Sequence, residues 1–183
     1  MTSDIDAFLD EHNADLIGVR RHIHSHPELS RAEFKTTALI ADRLRAADLV
    51  PRILGAGTGL ICDIGTGMGP VVALRADLDA LPILDDKDVP YRSTRDGVCH
   101  SCGHDVHTTV VLGVALFLAQ QGLSLPGRVR VIFQPAEEVN PGGALTVIDE
   151  GGLADVGAIF AVHCDPRLDV GLVGTRAGAI TAA

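Results

Sequence analysis

Tryptophan is missing from the sequence, tyrosine occurs once, and aromatics make up only 3% of the chain. A core without large rings has to be packed from Val, Leu, Ile and Ala, a bias common in α/β proteins with buried parallel strands. There is no excess of positive charge either. The chain has 24 acidic and 15 basic residues, for a formal net charge of −9, which argues against nucleic acid or an anionic membrane as partner. No apolar run is long enough to span a bilayer. The opening Met1 to Leu16 is acidic and amphipathic rather than basic and then apolar, so it does not read as a signal peptide. A cytoplasmic location is the resulting expectation. Internal repeats, low-complexity segments and linkers are absent too.

What is present suits one globular domain: 183 residues, 46% hydrophobic and 21% charged. Ile5, Phe8, Leu9, His12, Leu16, Val19 and Ile23 recur at helical spacing and predict a first helix. Ser30 followed by Glu33 reads as a capping box opening a second helix over about residues 33–48. Leu60–Ile64 and Val71–Leu74 read as strands, the second buried. A long polar stretch from Asp77 to His107 follows, and structureless stretches of that length are usually functional. Thr108–Gln121 predicts an apolar helix ended by Gly122. Val129–Phe133 is a strand, Gly142–Glu150 a short helix, and Gly157–Val162 another buried strand ending at His163. Gly171–Ala183 looks strand-like again and stops without a turn signal, as though interrupted. Strands alternating with helices imply an α/β fold with a largely parallel sheet.

Acidic and imidazole groups gather where these strands end. Asp77 and Asp79 follow one strand, Glu137 and Glu138 another, and His163 a third. Open α/β sheets bind ligands outside the carboxyl ends of their strands. Cys99-His100-Ser101-Cys102-Gly103-His104-Asp105-Val106-His107 adds thiols and imidazoles at the end of the polar stretch. Thiolate, imidazole and carboxylate together suit Zn²⁺, Mn²⁺, Co²⁺ or Ni²⁺ rather than Mg²⁺ or Ca²⁺. The adjacent pair Glu137–Glu138 permits one carboxylate to bind metal while the other accepts a proton from water. Blander readings stand beside these. An acidic pair is often a solvated face, and a lone His163 could be an ordinary strand-end histidine. His22-His24-His26 reads as a helix end, and His107 stays unassigned. Cys99-x-x-Cys102 could be a redox pair, but its setting lacks the usual βαβ context. With no secretion signal, the four cysteines read as ligands or buried thiols rather than disulfides.

The motifs resemble the amidohydrolase branch of the aminoacylase and carboxypeptidase-type metallopeptidases, which includes hippurate hydrolases and auxin-conjugate hydrolases. Arg20-Arg21 with His24 and Pro27-Glu28-Leu29-Ser30 look like its N-terminal signature, and Arg75 to Pro82 is similar to its second motif. Cys102-Gly103-His104-Asp105-Val106-His107-Thr108 and Gln134-Pro135-Ala136-Glu137-Glu138 look like its most specific ones. The resemblance runs along essentially the whole chain in the right order.

The resemblance implies a three-layer αβα catalytic domain with a largely parallel mixed sheet. It implies two divalent transition-metal ions, with Cys102 bridging them and His104, Glu138 and His163 as further ligands. Glu137 would be the general base and Asp79 would orient a ligand. The implied substrate is an N-acyl amino acid, hydrolysed to a carboxylate and an amino acid. The family is expected to be homodimeric through a lid domain, and to supply one more histidine ligand after it. Neither lies within residues 1–183, so the chain is expected to be the N-terminal part of that domain, with a catalytically incompetent remnant as the alternative. Cys99 departs from the family's usual non-cysteine residue.

Overall fold

The computed structural model describes residues 2–121, 125–175 and 177–178. Nine elements follow one another: helices α1 (Thr2–Ser25) and α2 (Phe34–Ala46), strands β1 (Arg52–Ile53), β2 (Leu60–Ile64) and β3 (Val71–Asp77), helix α3 (His104–Gln121), strand β4 (Arg128–Gln134), helix α4 (Ala144–Asp149) and strand β5 (Val156–Ala161). The strands form one mixed sheet in the order β1-β2-β4-β3-β5. β4, β3 and β5 run parallel, while β1 and β2 pair antiparallel along the other side.

Side-chain alternation along the strands sorts the core into two layers. Leu60, Cys62 and Ile64 of β2, with Val131 and Phe133 of β4, face Val19 and Ile23 of α1, Ile40 and Leu44 of α2, and Val111 and Leu112 of α3. The intervening Ile61, Ala73 and Ile132 face Leu54 and Val147 of α4 on the opposite side. Three helices thus cover one face and one short helix the other, which is the expected three-layer arrangement. Each fully buried Leu, Ile or Phe contributes about 1.5–3 kcal/mol. Gly59 is required where β2 begins: its φ is +77°, and a Cβ there would stand 2.5 Å from Pro135 Cδ.

Three local expectations need correction. Glu33 does not cap α2 with its side chain. The Glu28 carboxylate does that instead, accepting the backbone N–H groups of Lys35 and Thr36 at 3.1 and 2.8 Å, because Arg31 at φ 66° turns the chain and aims Ser30 elsewhere. α3 begins at His104, one turn earlier than Thr108. β5 is not a buried strand: among the described residues it is a sheet edge bonded to β3 alone, and residues 157–161 are all exposed. An apolar run shows that a strand could be buried, not that a layer lies over it. Among the described residues, 171–175, 177 and 178 form no strand, and the rest of the 171–183 segment and Gly122 lie outside them. No described helix is long and apolar enough to cross a membrane.

Candidate metal centre

Parallel pairing puts the carboxyl ends of β3, β4 and β5 on one edge, and the N-terminus of α3 meets them there. His104, the first residue of α3, lies at the middle of the cluster and is 1% exposed. Cys102, His104 and His163 each offer a donor atom, and these atoms lie within 4.8 Å of one another; the same holds for His104, Glu137 and Glu138. All five site residues expected from the sequence therefore come together around His104.

The hydrogen bonds of His104 and His163 decide which ring nitrogen of each faces the cluster. His104 Nδ1 lies 2.8 Å from the Asp79 carbonyl oxygen, and His163 Nδ1 lies 2.8 Å from the Cys164 carbonyl oxygen. A carbonyl only accepts, so each Nδ1 carries the proton and each Nε2 is turned inward. This is how metal-binding imidazoles are usually held. His163 Nε2 is 3.3 Å from Cys102 Sγ. His104 Nε2 is buried without a hydrogen-bond partner, 3.6 Å from Glu138 Oε1, which is likewise buried and unpartnered.

His107 differs. Its Nδ1 bonds Asp77 Oδ1 at 2.7 Å, and its Nε2 accepts the Cys164 N–H at 2.9 Å. Donor atoms of Asp77, His104 and His107 also lie within 4.8 Å of one another, but with both His107 nitrogens committed that trio is a poorer cation site.

The acidic pair sits on a turn just past β4, held from three sides. Ala136, at φ 51°, gives its N–H to Glu33 Oε1 at 2.7 Å, and the Glu138 N–H bonds Asp79 Oδ2 at 2.9 Å. Ser30 donates to the same Asp79 oxygen at 2.6 Å. The two carboxylates are not equivalent: Glu137's side chain is 40% exposed and Glu138's 21%. Glu137 Oε2 stands 3.9 Å from His104 Nε2.

The electrostatics are those of a place short of positive charge. Burial, and then the Glu138 carboxylate, push the Cys102 thiol up to about 12. Burial works to lower the His104 pKa, but the Asp79 hydrogen bond and the Asp77 and Asp79 charges raise it overall. Asp77 is pushed up by burial, yet the His107 hydrogen bond and the nearby His104 and Arg75 charges outweigh that and bring it down to about 2. Unpartnered inward Nε2 and Oε1 atoms, beside a thiol that burial and then nearby acids keep protonated, fit a divalent cation of the zinc type.

Behind the centre lies a second buried polar group that the sequence did not reveal as one. His24, 1% exposed, bonds Asp105 Oδ2 at 2.8 Å and Asp85 Oδ2 at 3.2 Å, and Arg20 Nε reaches Asp105 at 2.7 Å. So His24 is a core residue, while His22 and His26 stack on each other at 4.4 Å on the surface. Buried His100 leaves both ring nitrogens without a hydrogen-bond partner, and burial lowers its pKa to about 4. Cys99 is a free, buried thiol 2.8 Å from Ser101 Oγ, and Cys102 is free as well.

Comparison with known proteins agrees with this geometry. A solved structure from Bacillus subtilis, YXEP, described as a dinuclear metal binding peptidase from the M20 family, superposes with a TM-score of 0.86 at 43% identity, over 91% of this chain and 47% of that one. The N-acetyl-L-cysteine deacetylase of B. subtilis is 46% identical over 169 residues, covering 92% of this chain and 40% of that protein. A Rhodococcus jostii protein carrying the name glutamate–cysteine ligase 2-3 is 49% identical over 166 residues, but only 21% of it is covered. The chain thus spans less than half the length of these relatives. The profile of peptidase family M20/M25/M40 matches residues 73–181, which contain Asp77, Cys102, His104, Glu137, Glu138 and His163. With more than half its length matched, and the matched half holding the whole cluster, the chain belongs to peptidase family M20/M25/M40.

Proposed function

We propose that the chain carries the two-metal centre of an amidohydrolase that cleaves the amide bond of N-acyl amino acids, hippurate-like substrates among them, releasing a carboxylate and an amino acid. Cys102, His104, Glu138 and His163 would hold two divalent transition-metal ions, with Glu137 as the catalytic base. When bound, such ions supply Lewis acidity at the scissile carbonyl.

The observation that carries this reading is the inequality of the acidic pair. Glu138 turns a buried, unpartnered oxygen towards the equally unpartnered His104 Nε2. Glu137, its neighbour in the chain, is 40% exposed and so open to water. Glu137 takes a proton from the attacking water and delivers it to the leaving amine nitrogen. Asp79 keeps the pair in place through the Glu138 N–H. Support for the substrate class comes from the relative named for deacetylating N-acetyl-L-cysteine, and support for two metals from the dinuclear neighbour.

The test is hydrolysis of hippurate and N-acetyl-L-cysteine by metal-loaded protein and its Glu137→Gln variant. Expected are unchanged metal content and a loss of turnover of about 10²–10⁴-fold, the usual contribution of a general base. Full turnover in Glu137→Gln refutes the role of Glu137. Metal-loaded protein that turns over neither compound favours the catalytically incompetent remnant over an active hydrolase.

A further inference from the structure

His163 is the most weakly supported member of the centre. Residues 157–164 are all exposed, and the ladder to β3 ends at the Arg75–Ala161 pairing. Burial therefore does little to fix where the His163 imidazole lies; its ring contact is with His107, at 4.6 Å between centroids. Apart from the Cys102 contact of His163 itself, the bond that holds the backbone of this segment to the body of the protein is Cys164 N–H to His107 Nε2, at 2.9 Å.

His107 is itself immobile. It is 2% exposed, and its Nδ1–H donates to Asp77 Oδ1 at 2.7 Å. The next residue, Thr108, donates its hydroxyl to the Asp77 carbonyl at 2.7 Å. The first turn of α3 is thus pinned twice to the end of β3. Because the Cys164 N–H can only donate, His107 Nε2 must be the acceptor, so the Asp77 bond also fixes the tautomer the contact needs. Gly103 completes the seat: its φ of +86° favours glycine, and a Cβ there would crowd Cys164 Cβ at 3.1 Å.

We propose that the Asp77–His107 pair is the positioning device for His163, holding the residue 163–164 backbone over the sheet edge so that the imidazole lies against Cys102. The proposal rests on the metal-centre reading for its functional meaning, but its geometry can be tested without metal.

The experiment has two arms. In chelator-treated protein, amide hydrogen exchange at Cys164 is measured relative to β3 amides. His107→Leu keeps the volume and removes the acceptor, and should speed exchange about tenfold, as expected for one lost hydrogen bond. His107→Gln, whose Oε1 can accept the same N–H, should restore protection. Unchanged protection in His107→Leu overturns the proposal.

In the second arm, Co²⁺ binding is followed by the thiolate–cobalt absorption band. His107→Leu should weaken binding about tenfold, as loss of an orienting partner does, and should cause no further loss in a His163→Ala background. An equal loss in both backgrounds makes His107 a ligand or a general packing residue, and overturns the proposal. Should His107→Leu not fold, Cys164→Pro removes the same bond from the exposed side and must weaken Co²⁺ binding, with Cys164→Ala as a control that retains it. Wild-type protein with no cobalt band refutes the metal-centre reading, while the exchange arm still decides the seating.

Discussion

Replacing Glu33 by alanine should loosen the turn that bears Glu137 and Glu138, although Glu33 and Ala136 are 103 residues apart in sequence. Glu33 is fully buried, and its Oε1 takes the Ala136 N–H at 2.7 Å. Removing the acceptor orphans a buried N–H, which costs about 1–3 kcal/mol. The emptied volume adds about 1 kcal/mol more, while release of left-handed strain at Ala136, at φ 51°, offsets a part. The expected loss is about 2–4 kcal/mol by urea unfolding of chelator-treated protein, or about 2–4 °C in Tm per kcal/mol for a chain of this size. Glu33→Gln keeps an acceptor and should hold most of that stability. The two forms separate with pH. Burial raises the Glu33 carboxyl above its ordinary 4.5, so the folded state holds the proton more tightly than the unfolded one. That advantage is complete below the unfolded value and is lost as pH rises through the folded value. As pH rises from the ordinary value through the higher folded one, the wild type should therefore lose stability that Glu33→Gln does not lose. Parallel pH profiles, or a Glu33→Ala variant within about 0.5 kcal/mol of wild type, refute the reasoning.

Asp105→Ala should cost about 3–5 kcal/mol in calorimetry, because it leaves buried His24 and the Arg20 guanidinium without their shared partner; a loss below about 1 kcal/mol would be incompatible with a buried ion network. Asp63 is held below its ordinary 3.8, chiefly by the Arg130 hydrogen bond. Its contribution is present above that value and fades as pH falls through the lower folded one. Asp63→Asn should therefore cost about 1 kcal/mol near neutrality, given that the pair is partly solvated, and a deficit that fails to shrink in acid speaks against the assignment. Adding Co²⁺ or Zn²⁺ to chelator-treated protein should raise stability by about 2.7 kcal/mol at a hundredfold excess over Kd. The shift should vanish in His104→Ala, and a shift that survives there places the ion elsewhere.

The constellation was legible in the sequence because its parts are locally marked. The alternating run Val129–Phe133 ends at Pro135 with an acidic pair behind it, and His163 follows an apolar strand. What holds these parts was not legible. Glu33 bonds Ala136 and His24 bonds Asp105 across 103 and 81 residues, and no local spacing encodes such pairs. The Ser30–Glu33 pattern even points the wrong way. It has the letters of a helix cap, but the left-handed Arg31 between them sends Ser30 to Asp79 and Glu33 to Ala136. The exposure of β5 was hidden for another reason. Whether a strand is covered depends on what lies over it, which its own composition cannot record.

Asp79 joins the segments that the sequence keeps apart. Its Oδ2 receives Ser30 and the Glu138 N–H, and its carbonyl receives His104 Nδ1. The loop before α2, the start of α3 and the turn after β4 therefore share a single fixed point. Displacing any one of them strains the other two, so errors of position in this centre are correlated rather than independent. Paired substitutions at Ser30, His104 and Glu138 should consequently be non-additive, and the site tightens or fails as one piece.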